Sequence, residues 1–303
     1  MDKKKIAAIV VTYNRCDLLV ECLEALLKFA PEVDVIVINN ASTDETESVL
    51  QKYIKESNII YYNTEKNIGG AGGFNLGIKK AYLLGYKYFW LMDDDTIVQE
   101  NSLRELLVCV KELHGKFGFV SSEAVWVDGT ECKMNRHKMA KNKGEKYIVS
   151  ENALPIKTAT FVSFFTTSKV IEDVGLPIKD YFIWGDDTEY SLRISRKYPC
   201  YYAVNSKVIH KMKENKSTAK FYQLDDLTRI DRISYSVRND VCTYKRRNIL
   251  EFFEVTMYLV YNLLLVIIKD NPYKRYKIRK IMGAYIKGLF SFSPSIEYVC
   301  KRK

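Results

Sequence analysis

Three consecutive aspartates, Asp93, Asp94 and Asp95, close the apolar run YFWLM. Adjacent carboxylates repel one another unless a cation or solvent neutralises them. Hard divalent ions such as Mg2+ or Mn2+ are held by one or two carboxylates together with substrate phosphate oxygens. Alternate side chains of an extended segment share a face, so Asp93 and Asp95 are expected to meet one ion while Asp94 points elsewhere. A solvated acidic turn is the alternative. A second pair, Asp186 and Asp187 in FIWGDDTEYSLR, follows Trp184 at the start of an expected helix. A carboxylate beside another carboxylate and near aromatic rings has a raised pKa, which suits a general base, although aspartate at a helix start also serves as an N-cap. His210 ends the run AVNSKVIH, and its imidazole is a candidate partner for the same ion. His114 and His137 have no comparable setting.

The stretch NIGGAGGFNLG, residues 67–77, holds five glycines. It lacks the Lys-Ser/Thr pair of a Walker loop and does not fit the dinucleotide fingerprint. Glycine is required where backbone approaches a ligand with no side chain between, so Asn67, Gly70 and Gly73 are candidate contacts to a diphosphate or sugar. A glycine-rich turn before a helix is the competing reading. Thr12, Asn14 and Arg15, and the run NNASTD containing Asn40 and Asp44, carry short polar groups suited to a base and ribose. The same NNASTD run also reads as an Asx turn with a helix cap.

The elements that must position these groups alternate. Apolar β-branched runs at 6–12, 35–39, 59–62, 88–92 and 117–121 are separated by segments of helical period at 17–29, 44–55, 72–84 and 102–112. Such alternation predicts right-handed crossovers and a mostly parallel sheet flanked by helices, an α/β fold whose ligands sit beyond the carboxyl ends of the strands. Residues 128–150 turn polar and basic and read as a hairpin or mobile loop. A β-rich run follows at 158–167, then a helix at 186–196.

With 303 residues and 47% apolar side chains the chain can bury an ordinary core. Its 47 Lys and Arg against 37 Asp and Glu draw it to anionic partners. No helix or finger motif for nucleic acid is present, and much of the basic excess is C-terminal. Seven scattered cysteines without a CxxC pair argue against a disulfide framework or a zinc site and fit a reducing compartment. The N-terminal apolar run is too short for a signal peptide and reads as the first strand of a cytosolic protein. Residues 249–268, flanked by basic clusters, suit an amphipathic helix on an anionic membrane surface. A spanning helix and a core helix are the other readings.

VVTYNR, NNASTDET, NIGGAGGF, MDDD, WGDDTE and VIH, in that order over residues 6–215, make the chain resemble a family-two glycosyltransferase of GT-A fold. It is most similar to bacterial galactofuranosyl- and rhamnosyltransferases of surface polysaccharide synthesis. The resemblance implies a catalytic domain at 1–222, with a nucleotide-sugar half at 1–120 and an acceptor-side half at 121–222, followed by a basic helical region at 223–303. It implies an inverting enzyme dependent on Mn2+ or Mg2+, taking a UDP- or dTDP-linked sugar to a glycan or polyprenyl-linked acceptor at the inner face of the cell membrane. Thr12, Asn14, Arg15, Asn40, Asp44, Asn67, Gly70, Gly73, Asp93 and Asp94 are then donor contacts. Asp93, Asp95 and His210 hold the metal, Asp187 is the general base, and Trp184 and Asp186 face the acceptor. Asn40 stands where many relatives carry aspartate, which leaves uridine and thymidine both open. A sugar-phosphate nucleotidyltransferase is the rival enzyme, but VVTYNRCDLL lacks its basic glycine-rich signature. An inactive sugar-nucleotide-binding module would be expected to have lost one of Asp93, Asp95 and Asp187.

Overall fold

The unbroken apolar and β-branched run IAAIVVT forms β1 (Ile6–Thr12), buried along its whole length, as a strand covered by helices on both faces must be. In the computed structural model, residues 6–56, 59–140, 147, 148, 150–216 and 219–300 are described. The basic start at 1–5, and 141–146 and 149 of the expected loop, lie outside the described residues. After β1 come α1 (Cys16–Phe29), β2 (Asp34–Asn39), α2 (Thr46–Glu56), β3 (Ile59–Asn63), α3 (Gly69–Leu84) and β4 (Tyr88–Asp93). These strands pair in the order β3-β2-β1-β4, all parallel, with the alternation expected from sequence. The chain runs from β1 through β2 to β3 on one side, then returns to place β4 on the other. The switch point, where such sheets open a crevice, falls between the ends of β1 and β4.

Beyond β4 the sheet is mixed. The chain continues through β5 (Thr96–Val98), α4 (Ser102–Glu112), β6 (Phe119–Val125), β7 (Lys138–Met139), β8 (Ala153–Thr158) and β9 (Phe164–Thr167). Then follow α5 (Ser168–Val174), α6 (Asp186–Lys197) and β10 (Tyr201–His210). β9 enters antiparallel between β4 and β6, while β6 and β10 pair in parallel. Of the β-rich run expected at 158–167, only Thr158, the end of β8, and β9 are strand, and residues 159–163 between them are not. Ser163, at φ 63°, breaks the run in the left-handed region that a strand residue does not adopt. Of the polar stretch after Asp128, Val125 and Glu131 form an antiparallel bridge, and β7 pairs with β8.

Alternation along each strand sends side chains into two cores. Ala8, Val10 and Trp90 meet Leu19, Leu23 and Leu26 of α1 and Leu106 of α4 on one face. Ala7, Ile9, Val11 and Phe89 meet Phe74 and Ile78 of α3, Ile171 of α5 and Tyr190 of α6 on the other. Each fully buried large side chain contributes about 1.5–3 kcal/mol. α3 lies close on the sheet because Gly73 and Gly77 face it: a Cβ at either would stand 2.5 Å from Val11 or Ile9.

The C-terminal helices are α7 (Leu227–Lys245), α8 (Ile249–Ile268) and α9 (Lys274–Ile286). They share a third core containing Ile230, Val237, Leu259, Val266 and Ile281. Residues 292–300 then return to the half of the molecule that carries the sheet. The Leu176 N–H donates to the Glu297 carbonyl (2.8 Å), and the Glu297 carboxylate pairs with Lys79 and Lys179.

Candidate active site

β4 ends at Asp93, and Asp94 and Asp95 form the turn into β5. Strand alternation therefore does not explain how Asp93 and Asp95 come together; the turn does. β5, which had no signal of its own in the sequence, pairs antiparallel with β10 in a register that sets His210 opposite Thr96. The Lys211 N–H donates to the Asp95 carbonyl (2.8 Å), extending that pairing. One ligand atom from each of Asp93, Asp95 and His210 consequently lies within 4.8 Å of the others.

Asn135, which the sequence reading missed, defines the imidazole. Its amide nitrogen donates to the Thr160 hydroxyl (2.8 Å), so its Oδ1 faces His210 Nδ1, also at 2.8 Å. A carbonyl oxygen only accepts, so Nδ1 carries a proton and Nε2 is the nitrogen that faces Asp95, as an N–H donor in the charged ring and as a lone pair in the neutral one. Nε2 stands 3.1 Å from Asp95 Oδ1, a buried oxygen with no other polar partner among the described residues. In the neutral ring a lone pair faces the carboxylate, an arrangement that a cation between them satisfies, and the donor set of two carboxylates and one imidazole fits Mn2+ or Mg2+.

Asp94 points away from this cluster. It accepts from the Thr12 hydroxyl (2.8 Å) and from Arg15 (3.1 Å), whose guanidinium also reaches Asp95 at 2.8 Å. Burial, reinforced by its two neighbours, holds the Asp93 carboxyl well above the usual range, and burial pushes Asp94 up to about 6. Burial also opposes ionisation of Asp95, but His210 and Arg15 outweigh it and hold its pKa low.

The β1 and β2 loops are tied together. Asn14 accepts from the Thr43 N–H (2.7 Å), and its own N–H donates to Ser42 (2.9 Å). Asp44 accepts from the N–H groups of Cys16 and Thr46, so it serves the starts of two helices. Asn40 donates to the Gly69 carbonyl (3.0 Å), while its Oδ1 is buried with no partner among the described residues. Asn67 accepts from the Gly69 N–H at 2.8 Å. The glycines divide: a side chain at Gly70 would enter open space, whereas Gly73 is required for helix-on-sheet contact and faces the strands. Gly69 (φ 74°) is demanded by the neighbouring loop, since its Cβ would stand 2.0 Å from the Phe182 carbonyl.

That loop carries the second acidic pair. Phe182, Trp184 and Gly185 all have φ near 65–83°, a costly conformation for the two aromatic residues. Helix α7 holds them there: the Asn239 amide donates to the carbonyls of Tyr181 (3.0 Å), Ile183 (3.2 Å) and Trp184 (2.7 Å). Trp184 is exposed, Asp186 is buried, and Asp187 is half-buried at the first turn of α6. Burial and the adjacent Asp187 push Asp186 up to about 8; burial raises Asp187 as well. Asp240, one residue beyond Asn239, is pushed up to about 7 by burial and by Asp187. Its position in a long C-terminal helix gave no sequence signal linking it to Asp187.

The family model described as Glycosyl transferase family 2 matches residues 7–165. Galactofuranosyltransferase GlfT1 of Mycolicibacterium smegmatis is 26% identical over 200 residues, covering 63% of this chain and 65% of the relative, so the chain spans less than two thirds of that protein. The S. aureus TarS 1–349 structure superposes with a TM-score of 0.59 at 17% identity, covering 94% of this chain and 81% of TarS. GalNAc-T7, solved with UDP, GalNAc and Mn2+, gives 0.58 at 13% identity, covering 85% and 55%.

Proposed function

Because this chain belongs to glycosyl transferase family 2, we propose that it moves a sugar from a nucleotide diphosphate donor to a glycan or lipid-linked acceptor in bacterial cell-surface polysaccharide synthesis. Galactofuranose, which the M. smegmatis relative is named for, and rhamnose are the favoured sugars. The observation that carries the reading is the meeting of His210 Nε2 with the buried Oδ1 of Asp95 at 3.1 Å, beside Asp93, at the switch point of the sheet. Asp93, Asp95 and His210 would hold Mn2+ or Mg2+, and the Mn2+ found with GalNAc-T7 supports that choice. Bound there, the ion would supply positive charge to a departing nucleoside diphosphate. The chain supplies the rest. Asn40 Oδ1 is a free acceptor for a base or ribose donor, and Thr12 and Arg15 fix Asp94 at the donor side. Trp184 offers an exposed ring to an acceptor sugar, and Asp187 takes the proton from its hydroxyl. Direct displacement inverts the anomeric centre and needs no covalent intermediate. Incubation with UDP- and dTDP-sugars, with and without lipid-linked acceptors, should release nucleoside diphosphate only when Mn2+ or Mg2+ is present, and faster with acceptor. Release undiminished by EDTA, or none with any pair, overturns the reading.

Catalysis is assigned to 1–222 and attachment to the inner face of the cell membrane to 223–303. Between residues 223 and 303 there are 16 Lys and Arg against 8 Asp and Glu. α8 buries Leu259, Asn262 and Val266 on its neighbours and exposes Leu250, Phe253, Met257, Tyr261, Leu264 and Ile268 along one stripe. Only 17% of its most apolar window is buried. Spanning would carry the basic helices packed against α8 into hydrocarbon, so lying in the interface is the favoured placement. The full chain should co-sediment with phosphatidylglycerol vesicles at low salt and less at high salt. Leu250→Glu with Phe253→Glu should abolish binding. Undiminished binding refutes the surface, and release by detergent alone favours a spanning helix.

A further inference from the structure

Between α7 and α9 lies a cavity of about 410 Å³ that the proposed transfer leaves unused. Tyr235, Arg238, Arg279, Lys280, Gly283 and Lys287 line it. Four cations around one space repel one another, and the described carboxylates answer only one of them: Lys280 pairs with Asp231 at 2.6 Å. Arg279 and Lys287 have no carboxylate partner among the described residues. Arg238, 9% exposed, is held by the carbonyls of Asp180 (3.0 Å) and Tyr181 (3.1 Å) and by Asn239, with its guanidinium 3.8 Å from the centroid of the Phe292 ring. None of these partners carries charge, so a buried arginine and two exposed cations without carboxylate partners among the described residues line a space where an anion with several oxygens would be attracted by all three. The space is an open groove: Gly283 is exposed at its edge, and a Cβ there would meet nothing within 4 Å.

The cavity shares a wall with the catalytic loop. The Tyr235 ring stacks on Phe182 at 5.1 Å, and Arg238 grips the carbonyls just before it. We propose that this cavity binds the phosphate or diphosphate group of a lipid, and that in the working enzyme the lipid is the acceptor's carrier. The second half rests on the lipid-linked acceptor proposed above; the phosphate site does not. An acceptor anchored there presents its sugar beside the loop that delivers Trp184 and Asp187.

Calorimetry of the full chain with inorganic pyrophosphate in EDTA, where no metal helps the aspartate site hold an anion, tests the site. Arg279→Ala with Lys287→Ala should weaken binding about ten-fold or more, as expected when charge-assisted contacts are lost. Gly283→Met, which keeps every charge and improves helix propensity, should block the space and weaken binding as much with an undiminished melting temperature. Binding unchanged in Gly283→Met overturns the site, whatever the double variant does. Farnesyl diphosphate and phosphatidylglycerol vesicles are then competed against pyrophosphate. Displacement by farnesyl diphosphate supports the acceptor carrier, whereas displacement by vesicles alone makes this a headgroup site and overturns the acceptor role. Should pyrophosphate bind as expected while no sugar nucleotide is turned over, the transferase reading fails and the phosphate site stands.

Discussion

Replacing Asp187 with asparagine should lower sugar transfer by about two to four orders of magnitude, the range for losing a general base, while donor affinity stays within about two-fold. The isosteric amide keeps the bonds from Thr188 but cannot accept a proton. Burial and adjacency make ionising both members of the pair costly, and the Thr188 N–H and hydroxyl, both donating to Asp187 Oδ1, favour Asp187 as the ionised partner. Asp186→Asn should accordingly retain more activity. The base works unprotonated, so kcat should fall as pH drops through the raised Asp187 pKa, and this acid limb should sit above the ordinary aspartate range. Steady-state kinetics of both variants across pH decides the assignment. A reversed ranking would move the base to Asp186.

Asp95→Ala should abolish metal-dependent donor binding. It removes the oxygen that faces His210 Nε2 and the carboxylate that Arg15 reaches, so no charged ligand replaces it. Asp93→Ala should have a comparable effect. Asp94→Ala should be milder towards the metal, because its oxygens are occupied by Thr12 and Arg15. Titrating each variant calorimetrically with UDP and Mn2+, alongside melting temperatures, separates lost coordination from lost folding. Unchanged UDP affinity in both the Asp93 and Asp95 variants would end the metal assignment.

The parallel half of the fold was legible because apolar β-branched runs alternate cleanly with segments of period 3.6 through residues 6–93, as strands buried on both faces must. The acidic groups were legible by type and by position at strand ends. What escaped was carried by pairing between distant segments. Three residues, Thr96–Val98, are too few to show a period, yet their register with β10 brings His210 to the aspartates. Asn135 sits in an irregular loop, and its amide matters only because Thr160 and His210 flank it. Asn239 and Asp240 lie in an amphipathic helix whose polar residues look like solvated surface until the 182–185 loop is laid against them. The glycine run was half explained: Gly73 and Gly77 serve packing, Gly69 serves the loop, and Gly70 alone has open space before it.

The return of residues 292–300 sets an order on how the polypeptide matures. Synthesis proceeds from the N-terminus, so α3 and α5 leave the ribosome with the surfaces that Ile296 and Glu297 later cover still open to water. Glu297 is 218 positions from Lys79 and 118 from Lys179, so these contacts close some of the longest loops in the molecule. Such distant closure is slow and cannot be completed co-translationally on the first half alone. The sheet half and the basic helices should therefore finish folding together, and a nascent chain interrupted before the tail should leave the face around Gly175 bare and prone to association.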